Sequence, residues 1–248
     1  MEDTMNGTTT AQLAEKTAKA VTGSVEEWTG FLQSAARLYK YSYPEQLLIY
    51  AQRPDATACA SYEIWNQTMR RYVRRGARGI ALPDGAGAVR YVFDVADTGA
   101  RKCSREVKTW ALDENNREAV AHALETQYGS AAKLGIAGQL EEIAMQQSMD
   151  YWQWHQDELR GIVDGSSLEG YDELNLEIAF RNTAAASVKY MLLSRCNLAR
   201  EHQIEPEELA GVLEWNTSAA SGALGSAVSE LSEGVLRQIE RTIRQYER

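Results

Sequence analysis

One strongly β-prone run, Val89 to Val95, stands in a sequence whose apolar residues otherwise recur mostly at helical spacing. A turn signal, Asp84-Gly85-Ala86-Gly87, precedes it, and Ile80 to Leu82 before that turn also favours a strand. Elsewhere the sequence favours helix, because it has only four prolines and many Ala, Glu, Leu and Gln residues. The sequence therefore predicts an α+β fold that is predominantly helical, with its sheet limited to a hairpin of about residues 79–82 and 89–95.

Three short helices are predicted ahead of this hairpin. Ser24 and Glu27 have the spacing of a capping box, and Pro44 suits the first turn of a second helix. Ser61 is a candidate N-cap for a third helix with Trp65 near its middle. The predicted helices cover residues 24–39, 44–52 and 61–69, and we expect a flexible tail and a short helix over residues 1–23.

The charge distribution divides the rest of the chain. The net charge is −9, but residues 37–108 carry 13 Lys or Arg against 7 Asp or Glu, whereas residues 109–248 carry 11 against 23. We therefore place a boundary near residue 108, between an α/β-hairpin domain (24–108) and an acidic all-helical domain (109–248). Helical spacing in the second domain predicts helices at 114–128, 131–163, 184–198 and 228–246. Residues 174–180 alternate as a strand would, although helix is favoured by their surroundings.

Arginines and aromatic residues are interleaved around residue 70. Guanidinium groups bind phosphates and aromatic rings stack on unpaired bases, so this pattern favours single-stranded nucleic acid. An equally consistent interpretation is that the aromatic residues belong to the core and the arginines only solubilise a turn. The candidate DNA-binding residues are Arg70, Arg71, Tyr72, Arg74, Arg75 and Arg78, with Lys40, Tyr43, Arg53 and Trp65 extending the track.

Several short sequence motifs in this region resemble those of one known family. YSYPEQLLIYAQRPDAT (41–57), Trp65, VRRGARGIALPD (73–84) and YVFDVADTG (91–99) are similar to the N-terminal domain of ArdC-type antirestriction proteins. The resemblance covers roughly residues 37–99. It implies binding of single-stranded DNA with little sequence preference, a role that would fall to Arg74, Arg75 and Arg78. The chain departs from the family pattern at Pro44 and Glu45, and Arg75 replaces a lysine.

The acidic remainder resembles a segment that follows the same domain in large helicase- and methylase-bearing proteins of Gram-positive conjugative elements. This resemblance implies either a stand-alone copy or an N-terminal piece of such a protein.

Motifs for catalysis are absent from the sequence. There is no HExxH zinc motif, no GxxxxGK[ST] phosphate loop and no GxSxG nucleophile turn. His122, His155 and His202 are isolated, and the three cysteines form no CxxC or Cys/His cluster. We therefore expect no enzymatic activity, no cofactor and no metal site. No apolar stretch is long enough for a membrane span, so the expected location is cytoplasmic and no membrane partner is expected.

Three functions remain open at this point. The first is a single-stranded-DNA-binding protein of a mobile genetic element with an antirestriction or anti-defence role. The second is an inhibitor that binds a host-defence nuclease, of the restriction or CRISPR kind, through its acidic helices. The third is a structural interaction segment of a larger helicase or methylase polypeptide, contacting other proteins of the mobile element.

Overall fold

The computed structural model describes residues 7–85, 87–199 and 204–247. Its helices are α1 (Gly7–Val21), α2 (Val25–Arg37), α3 (Tyr43–Gln52), α4 (Arg117–Tyr128), α5 (Gly135–Gly161), α6 (Glu173–Arg195), α7 (Pro206–Leu209) and α8 (Ser218–Tyr246). Its strands are β1 (Cys59–Ser61), β2 (Tyr72–Val73), β3 (Ile80–Pro83), β4 (Val89–Asp94) and β5 (Thr98–Gly99). The predicted fold class, predominantly helical α+β, is confirmed. None of the helices within these ranges is long and apolar enough to cross a membrane.

The predicted hairpin is present as β3 and β4. They pair antiparallel with Ile80 opposite Val92, and β1 adds a third strand on the other side of β4, with Cys59 opposite Asp94. A separate two-stranded ribbon joins β2 to β5. Neither β1 nor the ribbon was predicted, because their pairing partners lie more than twenty residues away and each strand is too short to show a period.

Strand β3 is an edge of the three-stranded sheet, and α3 covers that edge. The Gln52 side chain donates to the Ala81 carbonyl at 3.0 Å and accepts from the Ala81 N–H at 2.9 Å. The amide thereby satisfies the same two backbone groups that another strand would pair with, which protects the edge from association.

The helix predicted over 61–69 was wrong in its first residues. Ala60 and Ser61 pair with Phe93 and Val92 of β4, so the backbone there is extended, and the helical turn that follows is of the π type over Ile64–Thr68. The ambiguous segment 174–180 is helical. Leu176 and Phe180, four residues apart, are both buried on the inner face of α6.

Two apolar cores hold the molecule together. The larger one combines α1, α2 and α3 with α4 to α8, and the smaller one lies between the sheet and helices α1 and α3. Helix α3 contributes to both, because Leu47 packs in the larger core while Leu48 and Ile49 pack in the smaller. The larger core therefore contains buried residues from both sides of the boundary predicted near residue 108. That boundary stays a prediction.

A buried carboxylate helps join the two halves of the chain. Glu240 of α8 accepts a hydrogen bond from the Tyr39 hydroxyl at 2.5 Å and pairs with Lys40 at 2.6 Å, and Arg244 donates to it at 2.8 Å. The Trp110 indole in turn donates to the Tyr39 hydroxyl at 3.0 Å. Burial alone would raise the pKa of Glu240, but the bonds from Lys40, Tyr39 and Arg244 outweigh it and lower the pKa to about 2.

We expect Glu240 to make stability fall at acid pH. A carboxylate with a lowered pKa stabilises the fold above its unfolded pKa of about 4.3, and this contribution is lost as the pH falls from there toward the folded value. Glu240→Gln should lower the free energy of unfolding at pH 7 by roughly 1–3 kcal/mol. Between pH 4.5 and 2.5, the stability of this variant should vary less than that of the wild type. Urea unfolding at each pH measures both effects. Glu230→Gln, which changes an exposed carboxylate on the same helix, is the control. Parallel pH profiles for the wild type and Glu240→Gln would contradict this account.

Candidate nucleic-acid interface

The basic turn predicted from the sequence is a tight turn of the backbone at residues 74–77, directly after β2. Arg74 N–H donates to the Asp97 carbonyl at 2.9 Å, and Ala77 N–H donates to the Arg74 carbonyl at 3.1 Å. Gly76 closes the turn with φ of 86°, a left-handed conformation that favours glycine. Arg74, Arg75 and Arg78 are exposed around it.

A second basic segment, residues 101–105, folds back onto the first. Arg105 N–H donates to the Met69 carbonyl at 2.9 Å, and the Ser104 hydroxyl donates to the Arg70 carbonyl at 2.6 Å. From the sequence, residues 101–105 were placed only within the basic segment 37–108, with no predicted contact to residues 70–78. The uneven distribution of charge along the sequence was the available signal. It does not show that residues 101–105 contact the backbone of Met69 and Arg70.

These two segments form a cluster of eight cations on one part of the surface. We call it the basic cluster, and it consists of Arg70, Arg71, Arg74, Arg75, Arg78, Arg101, Lys102 and Arg105. Across the described ranges, none of the eight forms an ion pair with a carboxylate. Several cations on the acidic helices are different, since Arg181, Lys189 and Arg237 each pair with a glutamate. No carboxylate in the described ranges therefore occupies the cations of the basic cluster in an ion pair, and their side chains can attract an anion.

Two members of the basic cluster, Arg70 and Arg71, have a structural feature that the others lack. Arg71 is half-buried and its Nε donates to the Thr98 hydroxyl at 2.7 Å. Arg70 has a positive φ of 55°, which is uncommon for a residue with a side chain and occurs more often at functional sites. Arg75 and Arg78, by contrast, have exposed side chains that form no hydrogen bond within the ranges the structure covers. They are the cations most available to a ligand.

Tyr72 gives the basic cluster an aromatic surface. It pairs with Gly99 across the ribbon, and its ring occupies the space where a side chain at residue 99 would lie. The ring remains exposed, and the Arg101 guanidinium is 5.7 Å from its centroid. Because residue 99 is a glycine, the ring packs over its backbone and stays exposed beside Arg101, where it can stack on a base.

Two aromatic residues predicted to bind DNA do not lie on this surface. Tyr43 is buried in the larger core, where its ring packs edge-on against Phe31 and covers Gly225 of α8. Trp65 is also buried, and its indole donates to the Phe93 carbonyl at 2.8 Å. Both rings are enclosed by protein, so neither offers a face to a base.

Lys40 and Arg53, which were also predicted to bind DNA, differ from the basic cluster because both form ion pairs. Lys40 pairs with Glu240, as described above, and Arg53 pairs with Asp97 at 2.6 Å and with Asp55 at 3.4 Å. Because each is already matched by a carboxylate, a phosphate would have to compete for it. Their contribution to an anion site is smaller than that of the unpaired arginines.

The departures at Pro44 and Glu45 have a local structural role. Pro44 occupies the first turn of α3, and the Glu45 carboxylate accepts from the Ser42 N–H at 3.2 Å. The other Glu45 oxygen pairs with Arg90 at 2.5 Å. These two residues therefore fix the start of α3 against β4.

The acidic helices form a groove. A cavity of about 520 Å³ between α5, α6 and α7 is lined by Glu141, Glu207, Glu208 and Glu214, with Lys189 bonded to Glu141 at 2.8 Å and to Glu208 at 3.2 Å. Among the residues that the structure covers, no group of three or more His, Cys, Asp and Glu side chains is placed to hold a metal. His155 stacks on Tyr151 with centroids 4.1 Å apart, and His202 lies outside the described residues.

Comparisons of the whole chain with protein-family models, with curated proteins and with solved structures give no match.

Proposed function

We propose that this chain is a non-catalytic, cytoplasmic protein that binds single-stranded DNA through the basic cluster, with an antirestriction or anti-defence role in a mobile genetic element. One observation supports the DNA-binding part: the two basic segments 70–78 and 101–105 meet through hydrogen bonds to the Met69 and Arg70 carbonyls, Arg101 lies beside the Tyr72 ring, and none of their eight cations forms an ion pair in the described ranges. Phosphates would satisfy the guanidinium groups, and unpaired bases would stack on the ring. The resemblance of residues 37–99 to ArdC-type proteins supports the biological role.

The proposal is tested by titrating the protein into labelled oligo-dT of about 20 nucleotides and into a duplex of the same length, at several salt concentrations. Each phosphate contact on a single strand contributes about −0.7 to the slope of log affinity against log salt. With roughly three to five contacts, we expect a slope of about −2 to −3.5 and tighter binding to the single strand than to the duplex. Failure to bind either oligonucleotide at low salt, or binding with no salt dependence, would overturn the proposal.

A nuclease inhibitor is the second candidate, and one observation favours it. Residues 109–248 carry twelve more acidic than basic residues, and four of the glutamates line the groove between α5, α6 and α7. Such a surface would compete with nucleic acid for a basic channel. Neutralising Glu207 and Glu214 would abolish inhibition of this kind while leaving DNA binding unchanged. Insensitivity to changes in both surfaces would favour the third candidate, a purely structural interaction segment.

A further inference from the structure

The two faces of the three-stranded sheet differ in what covers them. Ile80, Leu82 and Val92 on one face are buried in the smaller core against α1 and α3. Side chains alternate along a strand, so Tyr91 and Phe93 of the central strand β4 lie on the opposite face. Tyr91 is 42% exposed and Phe93 is partly exposed. This outer face therefore shows two aromatic rings to solvent.

The residues paired with these rings on the neighbouring strands are small. Ala60 of β1 pairs with Phe93, and Ala81 of β3 pairs with Tyr91. Gly79 lies directly under the rings, because a Cβ there would meet Tyr91 Cδ1 at 2.9 Å and Phe93 Cζ at 3.2 Å. Long or branched neighbours would shield the rings, as in ordinary cross-strand packing. Alanine and glycine support the rings from below and beside while leaving them accessible.

The outer face is continuous with the basic cluster. Gly79 follows Arg78 immediately, and Arg78 is exposed with no ion pair in the ranges described. Residues i and i+2 of a strand are about 7 Å apart, so Tyr91 and Phe93 can each contact a separate base. Alanine and glycine beside them have no side-chain donors or acceptors with which to read a base edge.

We propose that Tyr91 and Phe93 form a second base-stacking platform, which takes successive unpaired bases of the strand whose phosphates bind Arg74, Arg75 and Arg78. This inference rests on the proposed function and extends its site from one ring, Tyr72, to three. The platform accepts any base, since stacking uses the ring faces that all bases share. Such a platform would give the proposed DNA binding little sequence preference.

The test compares oligo-dT with an abasic oligonucleotide of equal length, which keeps the phosphates and removes the bases. Tyr91→Leu should weaken binding to oligo-dT about 5- to 30-fold while leaving the affinity for the abasic strand and the salt slope unchanged. Tyr91→Trp should retain the wild-type affinity. Tyr171→Leu, at a tyrosine 41% exposed in the acidic region, is the matched control and should change neither affinity.

The outcomes separate this inference from the proposed function. If the wild type binds neither oligonucleotide, the proposed function fails. If the wild type binds oligo-dT and folded Tyr91→Leu binds it equally well, the platform is overturned and the proposed function stands. Should Tyr91→Leu not fold, photocrosslinking of iodouracil-substituted strands to the wild type replaces it. Crosslinks within residues 91–93 are expected, and crosslinks confined to Tyr72 would overturn the platform.

Discussion

Replacing Arg74, Arg75 and Arg78 together with alanine is expected to weaken binding of single-stranded DNA about 100-fold at about 0.1 M salt. Three lost phosphate contacts should also flatten the slope of log affinity against log salt by about 2 units. The loss should be similar for oligo-dT and oligo-dC, because phosphates carry no base identity. Fluorescence anisotropy titrations at several salt concentrations measure both quantities.

The structure indicates that this triple variant will fold. Arg75 and Arg78 have exposed side chains, and the side chain of Arg74 makes only a long hydrogen bond of 3.4 Å to the Ala96 carbonyl. Arg71 is left in place because its bond to Thr98 helps hold the ribbon. Thermal unfolding of the variant should therefore remain close to that of the wild type.

The chain offers a control with the same change in charge. Arg160, Arg181 and Arg237 lie on the acidic helices and each pairs with a carboxylate. Changing these three to alanine alters the net charge identically but should shift DNA affinity by no more than about twofold at this salt concentration, where distant charges are screened. If the first variant folds and binds like the wild type, the basic turn is not the DNA site, and the nuclease-inhibitor candidate should take its place.

The first half of the basic cluster was predictable from sequence because it is local. Five arginines within nine residues, with Gly76 among them, must lie near one another whatever the fold. The second half was not predictable, since it meets the first only through hydrogen bonds from Arg105 and Ser104 to the Met69 and Arg70 carbonyls and through the contact of Arg101 with the Tyr72 ring.

The same contrast applies to the aromatic residues. Tyr43 and Leu47 are four residues apart on α3, and this helical spacing is the signal that both face the larger core. Trp65 gave no comparable signal, because the π-helical turn around it does not follow the ordinary helical period. Tyr91 belongs to the strand that was predicted most clearly, but only the pairing with Ala81 and the position of Gly79 show that its ring is exposed on the outer face.

The shared core leads to the second large effect, on stability. Trp28 of α2 is 0% exposed, packs 5.5 Å from the Phe31 ring, and donates to the Ser187 hydroxyl of α6 at 3.0 Å. Trp28→Ala removes the indole from the contact between the two halves of the chain and leaves Ser187 without this partner. We expect a loss of about 3–5 kcal/mol in the free energy of unfolding. For a chain of this size, this loss corresponds to a fall of roughly 6–20 °C in Tm.

Hydrogen exchange in the Trp28→Ala variant shows which helices lose stability, and so tests whether the two halves of the chain unfold together. Since Trp28 belongs to the core that contains α5, α6 and α8, its removal should reduce hydrogen-exchange protection in those helices as well as in α2. Trp154→Ala is the matched control. Its indole is 84% exposed on α5, so its removal should change stability by no more than about 0.5 kcal/mol. If Trp28→Ala weakens protection only in residues before 108 and leaves α5, α6 and α8 as protected as in the wild type, the two halves unfold independently, and the boundary predicted from the charge pattern would be a true domain boundary.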